Sequence, residues 1–102
     1  MSEETSTRPL LMVVDDDARS RELMRLVLGH AGYRVVVAPD VQAAIPLLGA
    51  ERPAAVLADL LMPGMTGIEF CRWARARPEL AGLRFVLLTG MDVDETRLAG
   101  LL

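Results

Sequence analysis

The sequence contains no lysine: all eleven of its basic residues are arginines. No site in the chain can therefore use a compact ammonium point charge, and the planar guanidinium fork of arginine does not replace it, because its geometry differs. Cysteine is reduced to Cys71, so no internal disulfide can form. A reduced, buried thiol among apolar helix residues is expected, which points to the cytoplasm. His30 is the sole histidine, which leaves no second imidazole for a metal or catalytic pair. No apolar run approaches the roughly 18 residues that a spanning helix needs. The opening Met1 to Pro9 is polar and acidic rather than basic and then apolar, so neither a membrane segment nor an export signal is read. A net charge of -3 argues against an electrostatic grip on nucleic acid.

What is present is a chain of 102 residues, 52% hydrophobic and 25% charged, the composition of one folded domain. Residues 1–9 read as a polar tail. Residues 10–14 (LLMVV) form an apolar run too short for a helix and end in Asp15-Asp16-Asp17, the pattern of a strand buried on both faces. From Ala18 the period becomes helical, with Leu23, Leu26, Val27 and His30 as the apolar stripe and Gly32 as the stop. Tyr33 to Ala38 is a second strand. Asp40 caps a second helix with the stripe Val41, Ala44, Ile45 and Leu48, which Pro46 is expected to kink or shorten. Residues 54–61 (AAVLADLL) give a third strand carrying Asp59, and residues 62–67 (MPGMTG) a loop. Thr66 and Glu69 signal a capping box for a third helix, on which Gly67, Phe70, Cys71 and Ala74 face one way. Leu83 to Leu88 is a fourth strand ending at Thr89, and Asp92 with Glu95 opens a fourth helix.

Strands alternating with helices, with no hairpin signal, specify an α/β fold whose parallel sheet is covered on both faces. In such sheets ligands bind beyond the carboxyl ends of the strands, where the winding reverses. Asp15 and Asp16 follow the first strand, Asp59 the third and Thr89 the fourth. If the first strand lies between the second and third, the acids converge. Carboxylates that close repel one another, and a divalent cation relieves the repulsion. Magnesium suits the set, because it takes oxygen ligands and keeps several waters. The pattern fits phosphoryl transfer, with Asp59 as nucleophile and Thr89 as a hydrogen-bond donor to a phosphoryl oxygen.

Three stretches, in order and at matching offsets, carry a resemblance: VVDDD with the pair Asp15 and Asp16, DLLMPGMTG with Asp59, Met62, Pro63 and Gly67, and LLTG with Thr89. From Leu10 to Leu102 the chain resembles the receiver domain of two-component response regulators. The resemblance implies a flavodoxin-like doubly wound sheet, here of four βα units in the order 2-1-3-4. It implies Asp59 as acceptor of a phosphoryl group from a sensor histidine kinase or phosphotransfer protein. It also implies Mg²⁺ held by Asp15, Asp16, Asp59 and the backbone carbonyl of Leu61, with Thr89 contacting the phosphate. The family's lysine and proline at the end of a fifth strand, its switch aromatic and its fifth helix have no counterpart here. Residues 10–102 are accordingly expected to be a C-terminally incomplete receiver, a phosphoacceptor rather than an enzyme. Its fourth strand would lie at an edge and could support a homodimer or a swapped dimer.

Two other functions compete. A receiver that has lost signalling and serves as a binding or dimerisation module is favoured by the missing lysine and opposed by the intact acids. A phosphohydrolase of the haloacid-dehalogenase type would use Asp15 as nucleophile and Asp17 as acid. Arg19 stands where that family has threonine or valine, and no late acidic pair follows. Asp17 also reads as the cap of the first helix. Trp73 is expected at the edge of the core, and Arg72, Arg75 and Arg77 as one solvated helix face.

Overall fold

The structure is a computed structural model that describes residues 8–88. Thr89 and the helix expected from Asp92 lie outside the described residues. Within them the order is β1 (Leu10–Val14), α1 (Ala18–His30), β2 (Arg34–Ala38), α2 (Val41–Glu51), β3 (Ala55–Asp59), α3 (Gly67–Arg75), a short 3-10 turn (Pro78–Leu80) and β4 (Arg84–Leu88). The strands form one sheet in the order β2-β1-β3-β4, parallel throughout. The fold class and strand order are those expected. Four strand limits are tighter than the apolar runs suggest: Tyr33, Ala54 and Leu83 precede their strands, and β3 ends at Asp59 rather than at Leu61.

Each strand is five residues long, and β1 and β3, which have a neighbour on both sides, are the most enclosed. Met12 and Val14 point to one face of the sheet and pack with Ala38, Val56 and Ala58 against Val41, Ala44 and Leu48 of α2 and Phe70 of α3. Phe70 is fully buried and meets Phe85 of β4 edge-on, with ring centroids 5.3 Å apart. The stripes read for α2 and α3 face this core, with Ile45 and Cys71 half-buried at its margin. Pro46 does not shorten α2, which runs on to Glu51. The donor that Pro46 lacks would have served the carbonyl of Gln42, an exposed residue whose carbonyl water can satisfy.

The stripe read for α1 is corrected. Leu23, Leu26 and Val27 are 61%, 49% and 53% exposed, and His30 is exposed as well. The half-buried residues are Ser20, Arg21, Met24 and Leu28, also at helical spacing. The helix therefore carries two stripes at helical spacing, and the one turned to the sheet is the less apolar. It lies against β1 and β2 but adds nothing to the core cluster of α2 and α3, which places it over the opposite face of the sheet.

Arg75 and Arg77 likewise do not share one free solvated face. Arg75 lies over the Phe85 ring, 5.4 Å from its centroid, and donates to the carbonyls of Ala81 and Leu83. Arg77 stacks on Trp73 at 3.6 Å and donates to its carbonyl at 2.9 Å. Trp73 is half-buried against the core, as expected. No described helix is long and apolar enough to cross a membrane.

Candidate acidic site at the strand ends

The parallel ladder sets the positions of the acids. Val14 of β1 is in register with Ala58 of β3, so the residues that follow them, Asp15 and Asp59, emerge side by side. Because β1 lies between β2 and β3, this is where the winding reverses. Asp15, Asp16 and Asp59 each offer a carboxylate oxygen, and these atoms all lie within 4.8 Å of one another. The sequence-based convergence of the three acids is thus present in the fold.

Their environments differ. Asp15 is 7% exposed, its N–H donates to the Ala38 carbonyl at 3.1 Å, and its Oδ1 accepts from the Asp17 N–H at 2.9 Å. Asp16 is exposed. Asp59 is half-buried, and its Oδ1 accepts from the Leu61 N–H at 3.2 Å. Burial pushes the Asp15 carboxyl above its ordinary range. The charges of Asp59, Asp16 and Asp17 act in the same direction, against the Asp17 N–H bond that lowers it. Burial also raises Asp59, with the Leu61 N–H opposing and Asp16 reinforcing.

A carboxyl whose folded-state pKa is raised binds more protons folded than unfolded between the two values. Stability from Asp15 and Asp59 is then complete at low pH and is lost as the pH rises from the ordinary value of 3.8 through the raised folded values. With no divalent cation present, Asp15→Asn with Asp59→Asn is expected to raise the urea midpoint at neutral pH. The gain should shrink toward mild acid. A double variant no more stable than wild type at neutral pH would count against this strain.

Asp17 has a different task. Its Oδ1 accepts from the Arg19 N–H at 3.1 Å and its Oδ2 from the Ser20 hydroxyl at 3.0 Å, which caps α1. A carboxylate engaged in this way is badly placed to be the general acid that a phosphohydrolase reading requires.

The loop after Asp59 is held from the far side. Gly64 takes φ +85°, a left-handed conformation that favours glycine in the Pro63-Gly64 turn. Thr66 and Glu69 form the expected capping box at the start of α3, at 3.0 and 3.1 Å. The Gly67 N–H donates to the Leu60 carbonyl at 3.1 Å, and a Cβ at Gly67 would lie 2.6 Å from the Asp59 carbonyl oxygen. That contact is invisible in the sequence, where Gly67 was legible only as a motif and helix-face residue. Arg21, whose guanidinium donates to the Asp15 carbonyl at 2.9 Å, left no sequence signal at all.

All three clustered donors are carboxylates. His30 and Cys71 lie on α1 and α3 and are not members of the cluster. Such a set suits a hard, oxygen-preferring divalent cation rather than a thiophilic one.

Comparison with known proteins agrees with this geometry. Residues 11–101 match the family model described as response regulator receiver domain. The response regulator MprA of Mycolicibacterium vanbaalenii is 40% identical over 91 residues, which are 89% of this chain and 38% of that protein. MprA of Mycobacterium bovis is 37% identical over the same length. The chain spans about two fifths of the length of these curated relatives. Among solved structures, a putative response regulator from Chloroflexus aurantiacus superposes with a TM-score of 0.82 at 32% identity, over 93% of this chain and 78% of that one. A response regulator receiver protein from Pseudomonas putida gives 0.80 at 32% identity, with the same coverage of each chain. A parallel sheet in the order 2-1-3-4, an acidic triad at its switch point and these matches lead to one assignment: the chain belongs to the response regulator receiver domain family, phosphoacceptors of two-component signalling.

Proposed function

We propose that Asp59 accepts a phosphoryl group from the phosphohistidine of a sensor histidine kinase or phosphotransfer protein, in a Mg²⁺-dependent reaction in the cytoplasm. The carboxylate oxygen of Asp59 forms the new bond to phosphorus, and the donor imidazole leaves. Asp15, Asp16, Asp59 and the main-chain carbonyl of Leu61 would hold the ion, and Thr89 would donate a hydrogen bond to a phosphoryl oxygen. Mg²⁺, when bound, neutralises charge on the acids and on the incoming group. The observation that carries this reading is the meeting of three carboxylates from two adjacent strand ends within 4.8 Å. The signal is the added charge of about -1.5 to -2.

Intact-mass analysis after treatment with acetyl phosphate and Mg²⁺ tests the reading. A single phosphoryl adduct is expected on wild type, and none on Asp59→Asn or in the presence of chelator. A wild-type chain that stays unmodified under conditions that label a control receiver would overturn it.

A second reading, self-association through β4 as a homodimer or swapped dimer, is favoured by one observation. Among the described residues β4 pairs only with β3, and its Val86 is exposed. Sedimentation velocity is expected to show a coefficient that rises with concentration in the micromolar range. A constant monomer coefficient would remove this reading while leaving the first intact.

A further inference from the structure

Asp15 is the most enclosed of the three acids, and its whole residue is tied down. Its N–H bonds the Ala38 carbonyl, its Oδ1 takes the Asp17 N–H, and its carbonyl takes the Arg21 Nη1 at 2.9 Å. The first two bonds come from β2 and from the corner itself. The third reaches back from the first turn of α1, and among the described residues it is the one hydrogen bond in which a helix side chain holds the end of β1. Arg21 is half-buried, and among the described residues the only ion pair is Arg25 with Glu22. Its guanidinium is thus committed to a carbonyl at the acidic cluster rather than to a carboxylate.

We propose that Arg21 is a positioning residue for cation binding: by holding the Asp15 carbonyl, it fixes the β1–α1 corner so that the Asp15 carboxylate faces Asp16 and Asp59 before an ion arrives. Three mutually repelling carboxylates relax by turning apart unless something outside them resists. The Asp17 N–H restrains one carboxylate oxygen, but Asp17 belongs to the same corner and moves with it. Arg21 lies inside α1, a helix of 13 residues, and so its side chain ties the corner to a rigid element. Groups that orient a ligand without touching the metal commonly change its affinity by about 10- to 100-fold.

The inference rests on the cation site in the proposed function, and the experiment separates the two. Mn²⁺ alone serves as the probe, with loss of its free EPR signal measuring binding in the absence of any phosphodonor. Arg21→Met keeps a stem of similar length and removes the donor; Arg21→Lys keeps a donor. The Met variant is expected to bind Mn²⁺ about tenfold more weakly with an unchanged unfolding midpoint, and the Lys variant to stay within about threefold of wild type. A Met variant that binds as wild type does, or a Lys variant as weak as Met, overturns the inference. So does a Met variant that fails to fold, since Arg21 would then serve stability. If wild type binds Mn²⁺ and Asp15→Asn abolishes binding while Arg21→Met changes nothing, only the positioning role fails. If wild type binds no Mn²⁺ and takes no phosphoryl group, the site reading fails first.

Discussion

Gly67→Ala is expected to destabilise the domain by about 1–3 kcal/mol and to slow acetyl phosphate labelling of Asp59, although alanine is the better helix former. The added methyl would stand 2.6 Å from the Asp59 carbonyl oxygen and 3.1 Å from a Leu87 methyl. Leu87 can turn away, but the carbonyl belongs to the main chain of the phosphoacceptor. Relief therefore requires α3 to retreat or β3 to bend, and either motion also strains the Gly67 N–H bond to Leu60. Gly49 supplies the control. It lies in α2, and a methyl added there would meet nothing within 4 Å, so Gly49→Ala should stabilise by about 0.5–1 kcal/mol. Urea unfolding of both variants measures the difference. If Gly67→Ala and Gly49→Ala shift the midpoint alike, the close approach of α3 to Asp59 is not a constraint.

Phe70→Ala should have the larger effect on stability, about 3–5 kcal/mol. Phe70 is fully buried where α3 crosses β4, edge-on to Phe85 and 6.2 Å from Trp73. Its loss removes the contact that seats the helix behind the Asp59 loop and leaves a void that the flanking aromatics cannot close without breaking their own contacts. A domain of this size has a total stability of about 5–15 kcal/mol, so the variant should sit close to its unfolding threshold. Phe70→Leu, which keeps most of the volume, should cost markedly less. Chemical denaturation followed by circular dichroism checks both, and a loss below about 1 kcal/mol for the alanine variant would contradict the packing described for α3.

The strands and the acids were legible in the sequence because both are local signals. LLMVV, VLAD and their neighbours are short apolar runs that stop at polar residues, and once the first strand is placed between the second and third, Asp15 and Asp59 must meet. The face of α1 was not legible. Leu23, Leu26 and Val27 have helical spacing, but so do Arg21, Met24 and Leu28, and periodicity cannot choose between two stripes when the sheet that selects one is built from distant residues. The partners of Arg75 and Arg77 were hidden for a related reason. A guanidinium finds an aromatic face only after tertiary packing brings it there, and Phe85 lies in another element from Arg75. Arg21 was missed because its acceptor is a main-chain carbonyl, which no residue type announces.

The stacking of Arg77 on Trp73 gives the molecule an optical handle on its own acceptor site. Trp73 is the sole tryptophan, and it lies six residues along α3 from Gly67, a span of about 9 Å in a rigid helix. The same helix touches the Asp59 main chain at one end and presents the indole to a cation 3.6 Å away at the other. Any shift of α3 that accompanies a change at Asp59 carries the indole and its stacked guanidinium along with it, relative to the core against which Trp73 packs. Intrinsic emission can thus follow the chemistry of a carboxylate that absorbs no useful light, without a label.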